Sequence, residues 1–227
     1  MNRSRPHPIG VRDCRWLRGT ALPLSRAPSC ATIEPDVPEV PPLMLIEAAR
    51  SHLIVVDLQE RLLPAITAAP QAIARSLVLI GAAEQLGVPI SVTEQYPKGI
   101  GPSVDAIREA LPVSATVHEK ISFAASGDEA FSAHVDAMRE SGRDQLVICG
   151  TEAHVCVLQT ALGFRQRGYA VYVVADAVAS RDSTSVVHAR DRLLQADCGW
   201  VNAELVVFEW MERAGTDLFR SVVQLVK

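Results

Sequence analysis

The chain alternates short apolar runs with longer segments of helical periodicity. The apolar runs lie near residues 52–57, 88–93, 115–119, 145–150, 170–175 and 200–202. Their length suits strands, whereas the segments between them carry apolar residues three and four positions apart. A strand and a helix repeated along one chain predict βαβ units, which build a parallel sheet.

The segments between the strands predict the helices. They cover about 68–86, 102–111, 128–141, 156–168 and 182–196, and two more follow, one ending near 213 and one beginning after 215. With right-handed crossovers, these elements predict an α/β fold. We expect a three-layer, doubly wound, mostly parallel six-stranded sheet with helices on both faces.

Capping residues give the expected helix ends. Glycine adopts the left-handed conformation that closes a helix, and four glycines stand in suitable places: Gly87, Gly142, Gly168 and Gly199. Ser126 or Gly127 is expected to begin the helix near 128–141, and Asn202 is expected to cap the helix that follows the last strand. The cluster 99–102 is interpreted as a turn.

Residues 1–43 differ in composition from residues 44–227, which we predict to be one domain. The first segment mixes arginine with proline and has no periodic apolar face, so we predict a disordered extension. An organellar transit peptide is the alternative interpretation. Met44 directly precedes the first globular segment, which favours a tail or an upstream start over a targeting signal.

Composition narrows the class of protein. A chain of 227 residues with 48% hydrophobic residues can bury one substantial core, and no apolar run approaches the roughly 20 residues of a membrane helix. The net charge of -4 and pI of about 5.9 favour neither nucleic acid nor membrane partners. Five cysteines without paired metal-ligand spacing indicate a reducing, cytoplasmic location.

Three residues with reactive side chains stand at predicted strand ends: Asp57, Lys120 and Cys156. In a parallel sheet these ends meet at one edge. Cys156 also begins a helical segment, where backbone N–H groups favour a thiolate. Taken singly, each residue is more often a cap, a solvated charge or inert packing. Together they predict a cysteine nucleophile with a carboxylate that moves protons and an ammonium that stabilises charge.

Four segments resemble the isochorismatase-like cysteine hydrolases. They are 54–59 (IVVDLQ), 119–123 (EKISF), 150–161 (GTEAHVCVLQTA) and 93–99 (TEQYPKG), the last being similar to the isochorismatase domain-containing branch. The resemblance implies a catalytic triad of Asp57, Lys120 and Cys156. It also implies a cis peptide joining Thr151 to Glu152 and an oxyanion hole formed by the backbone N–H groups of Glu152 and Cys156.

The chain departs from the nicotinamidases of this superfamily, which carry a metal-binding Asp-x-His cluster after the second strand. Residues 93–97 read TEQYP instead, so we expect no metal and no other cofactor. Gln95, Tyr96 and Phe123 are predicted to reach the mouth of a pocket and bind substrate, with loop packing as the alternative. His154, two residues before Cys156, is expected to point away from the thiol.

These observations predict a metal-independent cysteine hydrolase that acts on a small amide-like substrate through a thioester on Cys156. The resemblance leaves two alternatives open: hydrolysis of a vinyl ether or another non-amide bond, or an oligomeric binding protein without turnover. A homo-oligomer is expected because the superfamily usually assembles and because the segment 205–210 is apolar nearly all round. A helix inside the domain core would explain that segment equally well.

Overall fold

The computed structural model describes residues 43–227, which contain a six-stranded sheet. The strands are β1 (Ser51–Val56), β2 (Ile90–Gln95), β3 (Thr116–Lys120), β4 (Gln145–Thr151), β5 (Ala170–Ala179) and β6 (Gly199–Val201). The helices are α1 (Ala69–Leu86), α2 (Pro97–Ile100), α3 (Asp105–Ala110), α4 (Glu129–Glu140), α5 (Leu158–Gln166), α6 (Ser183–Gln195), α7 (Ala203–Met211) and α8 (Asp217–Val222). Of the predicted extension, only Leu43 lies within the described residues.

The sheet has the strand order β3-β2-β1-β4-β5-β6, and all its pairings are parallel. The chain starts at the centre with β1, moves outward to β3, and returns to the centre at β4. Connections therefore leave β1 and β4 in opposite directions and open a crevice at their carboxyl ends. The predicted doubly wound α/β fold is confirmed.

Two apolar cores cover the two faces of the sheet. Leu53 and Val55 of β1 belong to a cluster with α1 and α7, whereas Ile54 and Val56 belong to a cluster with α4, α5 and α6. Every residue of β1 is buried because neighbouring side chains alternate between two covered faces. This explains why β1 reads as a continuous apolar run.

Most of the predicted caps are present. Gly87, Gly142 and Gly168 have positive φ angles and follow the ends of α1, α4 and α5. The Asn202 side chain caps α7 by accepting a hydrogen bond from the N–H of Leu205. Two assignments were wrong. Asp128, rather than Ser126 or Gly127, caps α4 by accepting from the N–H of Phe131. Gly199 is the first residue of β6; Asp197, with φ of 53°, makes the reversal after α6.

The region after β4 differs from the predicted helix at 156–168. A π-helical turn, Ala153–Val157, precedes α5, and the N–H of Val157 bonds to the carbonyl of Glu152. Cys156 thus lies inside a widened turn. The cluster 99–102 forms the end of α2 and a turn at Gly101. Among residues 43–227, no helix has the length and apolarity that a membrane crossing requires.

Candidate active site

The carboxyl ends of three strands bring the predicted reactive side chains together. Asp57 follows β1, Lys120 ends β3, and Cys156 lies in the turn after β4. Gly150 allows β4 to approach β1, because a Cβ atom there would lie 2.0 Å from the carbonyl oxygen of Val56. Its φ of 117° also suits glycine alone. The close approach of β4 to β1 therefore requires glycine at position 150.

Asp57 is fixed by hydrogen bonds to both carboxylate oxygens. The ammonium of Lys120 lies 2.7 Å from Oδ2, and the hydroxyl of Thr93 donates to Oδ1 at 2.7 Å. Both Asp57 and Lys120 have fully buried side chains, so little water screens their attraction. Asp57 has a φ of 50°, an uncommon backbone conformation that points to a constrained strand end.

Burial raises the pKa of Asp57, and the nearby Lys120 only partly offsets this effect. Cys156 and Asp57 line the same cavity, and the charge of Asp57 acts on the thiol. Burial, together with the negative charge of Asp57, raises the pKa of Cys156 to about 12. Burial of the charged form therefore opposes the expected effect of the helix start, which favours a thiolate. Asp57 is the candidate acceptor for the thiol proton, because its carboxylate lines the same cavity.

A cavity of about 700 Å³ opens above this pair. Gln95, Tyr96 and Phe123, the predicted substrate-binding residues, all line it together with Asp57 and Cys156. The Gln95 amide is engaged at both ends: its oxygen accepts from Lys120 at 2.9 Å, and its nitrogen donates to the carbonyl of Ile121 at 2.7 Å. Gln95 therefore holds Lys120 in place as well as forming part of the wall.

The turn that carries Cys156 begins with a cis peptide between Thr151 and Glu152, as the resemblance implied. The Glu152 side chain is almost fully buried and forms an ion pair with Nε of Arg181 at 2.7 Å. His154 points elsewhere, as expected, with Nδ1 lying 3.0 Å from the Ser180 hydroxyl. These contacts join the turn to the end of β5.

Sequence reasoning missed three residues that shape the site. Arg181 follows the carboxyl end of β5, so the strand-end rule that selected Asp57 could have found it. Thr93 stood in a motif quoted above, but only the pairing of β2 with β1 gives its hydroxyl a role. The Gln59 side chain bonds to both the backbone N–H and the backbone carbonyl of Gln95. No local sequence pattern predicts that contact.

Within residues 43–227, no group of three or more His, Cys, Asp or Glu side chains is arranged to hold a metal ion. Arg181 is the cation among the residues that line the cavity, and Lys120 is paired with the lining residue Asp57.

Similarity to known proteins extends over most of the domain. Residues 51–202 match the model of the isochorismatase domain. Mouse (Mus musculus) isochorismatase domain-containing protein 2A is 32% identical over 182 residues, which cover 78% of this chain and 82% of that protein. A Caenorhabditis elegans structure described as MAR1 ribonuclease is 33% identical, with a TM-score of 0.75 over 81% of this chain and 92% of that one.

A more distant structure has the same fold. The Escherichia coli YcaC gene product, described as an octameric hydrolase of unknown specificity, is 24% identical with a TM-score of 0.70, over 82% of this chain and 89% of that one. The domain match spans the whole sheet and the turn that carries Cys156. The chain belongs to the isochorismatase-like hydrolase family.

Proposed function

We propose that this protein is a metal-independent cysteine hydrolase that cleaves the C–N bond of a small amide. The observation that carries the proposal is that Cys156 and Asp57 line one cavity, with the Lys120 ammonium 2.7 Å from the Asp57 carboxylate. A nucleophile and a proton acceptor line one cavity, and a positive charge contacts the acceptor. Such a set suits acyl transfer.

In the first half of the reaction, Sγ of Cys156 attacks the amide carbonyl carbon as its proton moves to Asp57. The raised pKa of Asp57 makes this carboxylate a better base than an exposed one. Lys120 stabilises the charge of the pair throughout. Asp57 then gives the proton to the nitrogen, the C–N bond breaks, and the amine leaves a thioester on Cys156.

In the second half, water attacks the thioester carbonyl. Asp57 removes a proton from the water, the C–S bond breaks, and the proton returns to Sγ. The products are a carboxylic acid and an amine. In both halves negative charge builds on the carbonyl oxygen, and we assign its stabilisation to the backbone N–H groups of Glu152 and Cys156. The ion pair of Glu152 with Arg181 supports this assignment by fixing the turn.

The test is covalent trapping. Wild type and Cys156→Ser are incubated with a panel of small amides, and intact-mass spectrometry and released ammonia are measured. We expect an acyl adduct and ammonia from wild type and from the control variant, and neither from Cys156→Ser. Cys198→Ala is the matched control, because Cys198 is a buried free thiol outside the cavity lining. Turnover by Cys156→Ser equal to wild type would contradict the proposal.

Chelation tests the metal-independence of the reaction. We expect amide turnover to be unchanged after prolonged treatment with a chelator, since residues 93–97 lack the Asp-x-His pattern. The measurement is the initial rate before and after treatment, and again after addition of zinc. Activity that disappears and returns with zinc would contradict this expectation.

The same experiments separate the other functions. A vinyl ether hydrolase would stay active in Cys156→Ser, and a binding protein would form no adduct with any amide. The ribonuclease description of the C. elegans relative makes RNA a necessary member of the panel. In a cleft that shares Tyr96 and Ile121 with the cavity, the three carboxylates of Glu119, Asp128 and Glu129 outnumber the two ammonium groups of Lys98 and Lys120. The carboxylates would repel phosphates, and we expect no RNA cleavage.

Assembly and location complete the proposal. We infer a homo-oligomer from apolar side chains exposed on α7 and on the segment before β1, notably Phe208 and Leu45. The E. coli neighbour of similar fold is described as octameric. Cys149, Cys156 and Cys198 are free thiols, which supports a reducing, cytoplasmic location.

A further inference from the structure

Gln59 lies two residues beyond Asp57 and is fully buried, although it is outside the lining of the active-site cavity. The strand β1 ends at Val56, and the backbone leaves the sheet at Asp57, whose φ is 50°. The neighbouring strand β2 continues as far as Gln95. The backbone N–H and carbonyl of Gln95 therefore need partners that the backbone of β1 no longer supplies.

The side-chain amide of Gln59 supplies these partners. Its Oε1 accepts from the N–H of Gln95 at 2.8 Å, and its Nε2 donates to the carbonyl of Gln95 at 3.0 Å. The second hydrogen of Nε2 goes to the carbonyl of Gly101 at 2.6 Å. Both donors of the amide are used, and the two carbonyls and the N–H fix which end of the amide is which. The Gln59 side chain thus extends the pairing of β1 with β2 beyond the end of β1.

Gln95 connects Gln59 to the charged pair of the site. While Gln59 holds the backbone of Gln95, the Gln95 side chain accepts from Nζ of Lys120 at 2.9 Å and donates to the carbonyl of Ile121 at 2.7 Å. The same Nζ lies 2.7 Å from Oδ2 of Asp57. The N–H of Gln59 donates to the Asp57 carbonyl at 3.0 Å and closes the circuit. The position of the ammonium therefore depends on a ring of contacts that includes Gln59.

Resting on the amide hydrolase function proposed above, we propose that Gln59 is a positioning residue, which acts through Gln95 to hold the Lys120 ammonium against the Asp57 carboxylate. The positive charge of Lys120 lowers the pKa of both Asp57 and Cys156. Where the ammonium is free to move away from Asp57, this effect weakens and the Cys156 thiolate becomes harder to form. Gln59 thus influences a nucleophile that it does not touch.

The rate at which Cys156 reacts with iodoacetamide tests the proposal without requiring turnover. It is measured from about pH 8 to about pH 9.5, where the rate follows the small thiolate fraction, and is followed at Cys156 by peptide mass spectrometry. Gln59→Met retains the length of the side chain but none of its three hydrogen bonds, and we expect the rate to fall about tenfold. Gln95→Met, which removes the acceptor of Lys120 itself, should cause a similar fall. A rate in Gln59→Met equal to that of wild type would overturn the proposal.

Gln145→Met is the matched control for lost stability. Gln145 is also buried, and its amide also bonds two backbone groups, the N–H of Glu47 at 2.7 Å and the carbonyl of Leu45 at 2.9 Å. It begins β4, at the edge of the sheet opposite the site. Gln59→Met and Gln145→Met should both lose stability against urea, but Gln145→Met should react with iodoacetamide like wild type. An equal fall in rate in both variants would overturn positioning. Should Gln59→Met fail to fold, Gln59→Asn and Gln145→Asn, whose amides are one methylene shorter, form the same pair with the same expected contrast.

A double variant tests whether Gln59 acts through Lys120. Adding Gln59→Met to Lys120→Met should slow alkylation by no more than about twofold beyond Lys120→Met alone, because the charge that Gln59 positions is already absent. A further fall of about tenfold would show that Gln59 acts by another route, and would overturn the proposal.

Turnover separates this proposal from the hydrolase function. If wild type releases ammonia from an amide, Gln59→Met should lower kcat and leave KM nearly unchanged, since Gln59 lies outside the cavity lining. A raised KM with kcat unchanged would overturn positioning and leave the hydrolase function in place. If wild type turns over no amide, the hydrolase function fails, and the alkylation rates alone decide whether Gln59 positions Lys120.

Discussion

Lys120 is the side chain on which the proposed chemistry depends most. Its ammonium contacts the Asp57 carboxylate, and its positive charge lowers the pKa of both Asp57 and Cys156, against the larger effect of burial. Without it, a buried carboxylate would face a thiol with no compensating charge. Like charges at close range disfavour simultaneous ionisation, so the thiolate would become harder to form.

Lys120→Met is therefore expected to move the alkylation of Cys156 to higher pH. The measurement is the rate of reaction with iodoacetamide against pH, with the other four cysteines replaced where the fold tolerates it. In wild type, a pKa of about 12 already predicts slow alkylation at neutral pH. Lys120→Arg retains the charge but not the compact shape, so its alkylation profile should lie between those of wild type and Lys120→Met. Superimposable profiles for wild type and Lys120→Met would remove Lys120 from the site.

Among the structural elements, β1, β2, β3 and α4 build a second polar cluster at the amino edge of the sheet. The Nε2 atoms of His52 and His134 lie 2.8 and 3.0 Å from the Ser91 hydroxyl, and that hydroxyl lies 3.0 Å from Thr116 Oγ1. His118 contacts Thr116 from the same strand. Burial, together with the nearby imidazoles and Arg143, lowers the pKa of His52 to about 3.

This cluster makes the fold sensitive to acid. His52 has a folded pKa of about 3 and an unfolded value of 6.5, so between these values the unfolded chain binds more protons. Stability is retained above pH 6.5 and is lost as the pH falls toward 3. From these values, His52 alone should remove about 2 kcal/mol of stability between pH 7 and pH 5.

Urea unfolding at pH 7 and at pH 5 tests this expectation. His52→Gln should lose about 2 kcal/mol less than wild type over that interval, whatever its stability at pH 7. His188→Gln, which changes an exposed histidine of α6, should behave like wild type. A His52→Gln variant that loses as much stability as wild type would show that His52 does not titrate in this range.

The elements also show how far sequence reasoning reaches. The doubly wound parallel sheet and the convergence of Asp57, Lys120 and Cys156 follow from periodicity and from the strand-end rule, because both depend on local pattern and general geometry. The raised pKa of Cys156 does not follow, since it depends on how deeply residues distant in sequence bury the thiol. The pairing of Glu152 with Arg181 likewise joins two loops that only the folded sheet brings together.

On the scale of the whole molecule, the segment before β1 is tied to the rest of the domain by hydrogen bonds. The N–H and carbonyl of Met44 both bond to the Tyr172 hydroxyl, and the N–H of Ile46 donates to Glu209 at 2.6 Å. The N–H of Glu47 donates to Gln145. Residues 44–47 therefore belong to the folded unit by their hydrogen bonds as well as by the burial of Ile46.

Deletion of residues 1–43 is expected to leave the melting temperature nearly unchanged, because that segment has no periodic apolar face. Deletion of residues 1–47 should lower it by several degrees, since hydrogen bonds and the buried Ile46 are lost. Thermal unfolding followed by circular dichroism measures both. A loss of several degrees on the shorter deletion would mean that the first segment packs on the domain.

The apolar side chains of the segment 205–210 lie in two different environments. Val206, Val207 and Trp210 are buried in the domain core, so the interpretation of a helix apolar on every side is corrected in part. Phe208 is 43% exposed and shares a surface groove with Met44 and Leu45. This groove is the surface where we expect copies of the chain to meet.

Sedimentation at micromolar concentration is expected to show a homo-oligomer. Phe208→Ser and Leu45→Ser should each shift the distribution toward monomer, because they remove apolar area from the groove. Val113→Ser, at a fully exposed valine outside that groove, should leave the distribution unchanged. A compact wild-type monomer would assign the apolar residues to the domain core and surface alone.

The parallel sheet positions the reactive groups of the site, whereas the segments that connect its strands supply apolar side chains that line the cavity. Asp57 follows a strand packed between two cores, and Lys120 ends β3. Ile121 and Phe123 lie on the connection after β3, and Ile100 ends the short helix α2. Substitutions in those connections can change the ligand without displacing the reactive groups. This arrangement gives relatives with one chemistry a short route to different substrates. It also makes these connections the positions at which a library for altered selectivity should be built.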